Sequence, residues 1–472
     1  MASTLSPNPK TSYRGRFAPS PTGRLHLGSL LSGYGAMWRA RSQNGTFLVR
    51  IEDLDFTRCT TLNLALMYHD LQLFHLLSEE QILVQGADTE PYETALEHML
   101  ASKQAYYCNC TRAQLKQRPC SCNTPEQQAY LQQLRAQEQN KQASCQAAPQ
   151  QAAPQQAAPQ QAAPMAIRAD FKQQLQAEAL QSFSDVHLGP IHQTDFQFLP
   201  QELALKRSDG CYAYNLAVVV DDHRQGITEV VRGADLLETT FLQLALYQSL
   251  GYTPPVFCHL PLLTDDSGQK FSKQNHATPI IMSYSPLQAA LLCWQLLQPH
   301  QVAALNDTAA PVIAELEELT AELKTIAATI MQAHIDDDQY AKYAKEVLAT
   351  SLPIAEKQLQ HNASMLWPSA GGDIETFILN SLLYTGWQQQ HRQQHITLAA
   401  GTGSGYGVYS EYSCNFPTFG EWLLNTCTSN PESSMQQVSA CSKHYYEALG
   451  RLHQCCGQLF ELAQMPTKSI VL

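Results

Sequence analysis

The chain has 472 residues, 44% of them apolar and 15% charged, the balance of a globular protein of roughly two to four domains rather than a fibrous or disordered one. No run of 18 or more apolar residues occurs and the first residues lack the apolar stretch of a leader, so neither a membrane span nor secretion is expected and a cytoplasmic location follows. The net charge of −12 is uneven, with 17 acidic against 8 basic residues from 305 onward and 25 against 22 before it, which excludes the back part as a general phosphate binder and leaves the front able to present a local basic face.

Residues 1–12, rich in Ser, Pro and Asn, read as a disordered N-terminus. Residues 13–58 read as strand, turn, helix and strand. The turn lies in Arg16-Phe17-Ala18-Pro19-Ser20-Pro21-Thr22-Gly23-Arg24-Leu25-His26-Leu27-Gly28-Ser29, and the second strand, 47–51, ends in Glu52-Asp53-Leu54-Asp55. Apolar residues at helical spacing predict helices over 60–77 and 91–104. A cysteine-rich segment at 106–122 carries the pairs Cys108-x-Cys110 and Cys120-x-Cys122.

Residues 125–143 are rich in Gln and good helix formers. A Gln-Gln-Ala-Ala-Pro repeat then fills 146–164. Proline at every fifth residue forbids a regular helix, so this segment reads as a flexible or extended spacer within a surface loop. The β-branched run from Tyr214 to Asp222 reads as a strand ending in two carboxylates, Val230 to Asp235 as another strand and turn, and 236–250 as a helix. Residues 286–298 form an amphipathic helical pattern and 310–365 a strongly helical one. Residues 370–472 are mixed. Their glycine run at 401–407 reads as a loop, since no strand-to-helix context or Gly-Lys-Ser/Thr accompanies it. Trp367, Trp387 and Trp422 predict a packed core in the part from about 305 onward.

Strands alternating with helices argue for an α/β fold with a parallel sheet, whose ligands sit at the carboxyl ends of the strands. Arg16, Glu52, Tyr214 and Arg232 lie at or beside strands, so they are expected to converge there. His26 and Gly28, on a Gly-containing turn entering a helix, can offer an imidazole and backbone N–H groups to phosphate. Lys270, Ser272 and Lys273, in Lys270-Phe271-Ser272-Lys273-Gln274, can meet the phosphates that leave when ATP activates a carboxylic acid. A guanidinium such as that of Arg232 is suited to charge-assisted, bidentate bonds.

These motifs, together with Arg-Ile-Glu-Asp-Leu-Asp at 50–55, resemble the glutamyl branch of the class I aminoacyl-tRNA synthetases over roughly residues 13–300. The chain departs from that branch's two signature motifs at Ser29, Phe271 and Gln274. The resemblance implies a Rossmann-like catalytic domain in two halves, 13–104 and 196–300, with a connective insertion at 105–195 and an extension of unknown role, helical at first, at 301–472. It implies an ATP-dependent ligase in which His26, Lys270 and Lys273 are catalytic. His26, Gly28, Ser272 and Lys273 would hold ATP with Mg2+. Arg16, Phe17, Ala18, Pro19 and Ser20 would wall the amino-acid pocket, Glu52 would accept from the α-ammonium group, Tyr214 would line the pocket, and Arg232 would meet the side-chain carboxylate of L-glutamate.

Within the branch, Val-Arg-Gly-Ala-Asp-Leu-Leu at 231–237, Lys-Gln-Asn-His-Ala at 273–277 and Tyr-Tyr-Cys-Asn-Cys-Thr-Arg at 106–112 are similar to the glutamyl-queuosine tRNA(Asp) synthetases. Those enzymes activate glutamate without tRNA and esterify it to queuosine in the tRNA(Asp) anticodon. Two alternatives stand beside this reading: a glutamyl-tRNA synthetase that charges a tRNA 3′ end, and a catalytically retired RNA-binding paralogue. Four thiolates can hold one structural Zn2+ per chain. Cys108 and Cys110 are the first two ligands expected, and the third and fourth are left among Cys120, Cys122 and Cys145.

Overall fold

A computed structural model describes residues 12–118, 120–146, 165–264, 279–332, 374–391, 424–425, 428 and 430–471. The first strand, β1 (Arg14–Phe17), runs through the expected turn into helix α1 (Leu27–Ser42). Strand β2 (Thr46–Ile51), helix α2 (Thr61–Leu73), the short strand β3 (Leu83–Val84) and helix α3 (Glu90–Ala101) follow. Next come β4 (Ala105–Cys108), α4 (Arg112–Gln117), α5 (Pro125–Gln146), β5 (Ala166–Asp170), α6 (Lys172–Gln176), β6 (Ser182–Asp185), β7 (Gly189–His192) and β8 (Glu202–Lys206). Helix α7 (Tyr214–Arg224), β9 (Glu229–Gly233), α8 (Thr239–Leu250), β10 (Val256–Leu260) and β11 (Leu263–Thr264) lead to α9 (Pro286–Leu297) and α10 (Val302–Gln332). The last elements are α11 (Ile374–His391), α12 (Pro431–Leu459) and β12 (Ile470–Val471).

Strands β1, β2 and β3 pair in parallel, as do β6, β10 and β9, with β7 antiparallel on the outer side of β6. The two sheets meet where the Thr228 N–H donates to the Arg14 carbonyl at 2.9 Å, just before β9. Across this seam the order is β3-β2-β1-β9-β10-β6-β7. The order reverses between β1 and β9, and that reversal opens a crevice at the carboxyl ends of the two strands. Helix α1 lies close to the sheet because it carries glycine at the contact: a Cβ on Gly35 would stand 2.7 Å from Leu260 Cδ1.

The segment from Tyr214 to Asp222 is helical, not the expected strand. An apolar run without clear periodicity fits a buried strand or a buried helix equally well. Here α7 is buried against α3 and α8, so its apolar residues need not confine themselves to one stripe. A second, antiparallel sheet of β4, β5 and β8 carries the cysteine segment. Strand β6, with β7 on its outer side, lies before residue 195 but pairs with β10, and β8 lies after it but pairs with β5, so both sheets cross the boundary placed there.

One apolar core joins Phe17, Trp38, Leu260 and Trp294 to Leu316, Leu382, Tyr445 and Leu452. The described helices α10, α11 and α12 therefore pack on the catalytic half. The Gln-Ala-Pro segment from 147 onward, residues 333–373 and the glycine run at 401–407 lie outside the described residues, as do Trp367 and Trp422; of Trp387 only the helical backbone is described. Among the described residues no helix is long and apolar enough to cross a membrane.

Candidate active site

The crevice holds a cavity of about 200 Å3, lined among others by Arg16, Phe17 and Ala18 at the end of β1, His26 and Gly28 at the start of α1, Tyr214 at the start of α7 and Arg232 at the end of β9. His26 caps α1. Its extended backbone (φ −114°, ψ 170°) lets ring Nδ1 accept from the Ser29 N–H at 3.2 Å, and Nε2 lies 3.0 Å from Ser29 Oγ. The first turn of α1 holds no acidic residue, so the positive end of the helix dipole faces the cavity without internal compensation. Pro19 is buried, with its carbonyl accepting from the Glu52 N–H at 3.0 Å, and Ser20 is exposed.

Two arginines and two acids form a buried network beneath the pocket. Arg16 grips Asp222 with Nε (2.9 Å) and Nη2 (3.2 Å), and Arg50 donates to Asp222 Oδ1 (2.7 Å) and Glu52 Oε1 (3.1 Å). All four are at most 7% exposed. Burial alone would raise the pKa of Asp222, but Arg16 and Arg50 overcome it and hold the carboxyl below its ordinary value. Burial raises that of Glu52, and Arg50 and Arg16 offset only part of the rise. Arg16 is thus a wall of the pocket whose Nε and one Nη2 hydrogen are taken by Asp222, while among the described residues its Nη1 group makes no hydrogen bond. Among the described residues Glu52 Oε2 has no hydrogen-bond partner, so it can accept from an ammonium group.

Arg232 differs. It is 5% exposed and donates to His259 Nε2 (3.1 Å), Gln243 Oε1 (2.7 Å), Thr240 Oγ1 (2.8 Å) and the Leu236 carbonyl (3.3 Å). None of these is a carboxylate. Four of its five N–H groups are occupied, so one Nη1 hydrogen remains and a bidentate grip on a ligand is not available. Burial lowers its pKa, and the nearby Tyr214, Asp222 and Tyr247 offset that only in part. Tyr214, 39% exposed, stands between the two poles: Glu52, Arg232, Arg16 and Asp222 all act electrostatically on it.

Lys270, Ser272, Lys273 and Gln274 lie outside the described residues. The segment leading toward them, Pro261 to Leu263, lines the cavity. Sequence reasoning missed Arg50, Asp185, Thr240, Gln243 and His259. It noticed Asp222 only as a carboxylate at the end of a run, because ion pairs spanning 172 and 206 residues leave no local trace.

Cys108 at the end of β4 and Cys110, Cys120 and Cys122 in the loops flanking α4 converge. The Sγ atoms of Cys108 and Cys120 are 3.5 Å apart, those of Cys110 and Cys122 3.5 Å, and those of Cys110 and Cys120 3.9 Å. All four lie within 4.8 Å of one another. Tetrahedral metal–sulfur bonds of about 2.3 Å place the sulfurs roughly 3.8 Å apart, so the set fits one metal ion. All four are free of disulfides. The side chain of Cys145 lies outside the described residues.

The family described as tRNA synthetases class I (E and Q), catalytic domain, matches residues 12–287. The chain is similar to the glutamyl-Q tRNA(Asp) synthetase of Vibrio vulnificus (strain CMCP6), 39% identical over 273 residues that cover 58% of this chain and 78% of that protein. It is similar to the enzyme of that name from Shewanella amazonensis, 38% identical over 298 residues that cover 62% and 90%. Among solved structures, a glutamate tRNA ligase from Elizabethkingia meningosepticum in complex with its amino acid aligns at a TM-score of 0.48 and 18% identity, over 94% of this chain and 100% of that one.

Proposed function

Since the chain belongs to the class I tRNA synthetases of the E and Q type, and within them to the glutamyl-Q tRNA(Asp) synthetases, we propose that this ligase joins glutamate to the queuosine of tRNA(Asp) through a glutamyl-adenylate made without tRNA. ATP lies over the N-terminus of α1, where His26 and the backbone at Gly28 receive its phosphates; Mg2+ bound with the ATP would neutralise part of their charge. Glu52 Oε2 accepts from the α-ammonium group of glutamate. The remaining N–H of Arg232 meets the side-chain carboxylate, and Tyr214 closes the space between. The α-carboxylate oxygen attacks the α-phosphorus and pyrophosphate leaves, its charge met by Lys270 and Lys273 with Ser272. A hydroxyl of the cyclopentene diol of queuosine then attacks the acyl carbon, and AMP leaves.

The observation that carries this reading is the buried guanidinium of Arg232 at the cavity wall, with neutral partners only. Such a group favours an anionic ligand strongly, because its charge has been taken out of water without a counter-ion in contact. Zinc is the natural occupant of the four-thiol site, Cys108, Cys110, Cys120 and Cys122, where it would fix the loop between α4 and α5 against β4.

The test is glutamate-dependent pyrophosphate exchange without tRNA, followed by transfer of labelled glutamate to tRNA with and without queuosine. Exchange in the absence of tRNA and labelling only of queuosine-containing tRNA(Asp) are expected. Labelling of tRNA(Glu) at its 3′ end would overturn the acceptor, and absence of exchange would overturn catalysis.

A further inference from the structure

Arg232 is aimed from behind. Its register partner across the parallel pair β9–β10 is His259, and its Nε–H donates to His259 Nε2. Accepting at Nε2 requires the imidazole to be neutral with its proton on Nδ1. Nδ1 lies 2.6 Å from Asp185 Oδ2 on the next strand, β6. Asp185 is itself fixed. Its Oδ1 accepts from the N–H groups of His187 (3.0 Å) and Leu188 (2.8 Å), and its Oδ2 from that of His259 (3.1 Å). Three adjacent strands therefore supply carboxylate, imidazole and guanidinium in a row, each at most 5% exposed.

We infer that Asp185 and His259 are positioning residues that lock Arg232 for the side-chain carboxylate of the amino acid, an inference that rests on the assignment of Arg232 given above. The imidazole works as a spacer. An aspartate in direct contact with Arg232 would neutralise it and compete with the ligand. Placed one ring away, Asp185 holds the histidine tautomer and softens the cost of a buried cation while leaving the last N–H free. A guanidinium fixed by four acceptors cannot follow a side chain one methylene shorter, so the same relay favours glutamate over aspartate.

Pyrophosphate exchange on the full chain separates positioning from mere packing. In His259→Asn the amide can still donate toward Asp185 but no atom reaches Arg232; in His259→Gln the amide oxygen can stand where Nε2 stood. For His259→Asn the KM for glutamate rises about tenfold or more, the change expected for one lost hydrogen bond to a charged group. Its preference for glutamate over aspartate falls, and kcat and the KM for ATP stay within about twofold, as expected when uniform binding is removed. His259→Gln restores the glutamate KM. An unchanged glutamate KM in a folded His259→Asn protein overturns the relay, as does an equal loss of kcat, ATP affinity and melting temperature in both variants. Should His259→Asn fail to fold, a folded His259→Gln protein with a glutamate KM raised as far overturns it. Arg232→Ala is run beside them: if that change leaves glutamate activation intact, the pocket assignment fails rather than the relay.

Discussion

The indole N–H of Trp38 donates to His453 Nδ1 at 3.2 Å, although the two residues are 415 positions apart. Trp38 lies on α1, whose other end carries His26, and His453 lies on α12. The helix that presents its N-terminus to the cavity is thus seated on the extension. His453 is fully buried and its Nε2 has no partner, so loss of the indole donor strands the whole ring. Trp38→Phe keeps most of the ring volume and should lower stability by about 1–3 kcal/mol, read from the denaturant midpoint, with the KM for glutamate unchanged. A chain cut after residue 300 should lose cooperative unfolding, because Trp38 and Trp294 would face water where α12 now packs.

Stability should depend on pH through the same junction. Burial, with a contribution from Arg41, pushes His75 down to about 4, and burial with Arg41 and His75 lowers His453 well below its ordinary value. Both rings are neutral when folded, and both take a proton in the unfolded chain below about pH 6.5. Their contribution is therefore complete above about 6.5 and falls away as the pH drops from there toward 4. The melting temperature should decline over that window, and His75→Gln should flatten the decline. A wild-type curve that is level between pH 7 and 5 would contradict this account.

Asp222 should prove more costly to remove than any ligand-facing residue. It compensates both Arg16 and Arg50, each at most 3% exposed. Asp222→Ala leaves Arg16 buried without a carboxylate partner and Arg50 with Glu52 alone, and should destabilise the fold by about 3–5 kcal/mol. Glu52→Gln keeps an acceptor for Arg50 and should instead raise the KM for glutamate at a nearly unchanged melting temperature. Equal stability losses in the two variants would sink the distinction.

Metal analysis of the purified protein should find about one zinc per chain. Replacing Cys108, Cys110, Cys120 or Cys122 singly by Ser should remove it, and Cys145→Ser should not. Stoichiometric zinc in a Cys122→Ser protein would assign the fourth ligand elsewhere.

Much of the site's front face was legible because its signals are local. The turn from β1 into α1 joins adjacent segments, and paired cysteines two residues apart declare themselves by spacing. The expectation failed where packing overrides pattern. The run from Tyr214 to Asp222 has strand composition, yet α3 and α8 bury it as a helix. As a helix it directs Asp222 to Arg16 and Arg50, and Asp221 to Tyr92 and Gln85. Likewise His259 reads as one polar residue in an apolar strand, and only the register of β10 between β9 and β6 reveals what it touches.

Strand β12 pairs in parallel with β11, with Ile470 beside Leu263 and the Ile470 N–H donating to the Leu262 carbonyl at 2.7 Å. Leu262 and Leu263 are also cavity wall. The two-residue ribbon at 470–471 is therefore a hem stitched to the cavity wall. Mutations that drift into residues 470–471 would be judged by catalysis as well as by folding, so tail and cleft are bound to evolve as one unit.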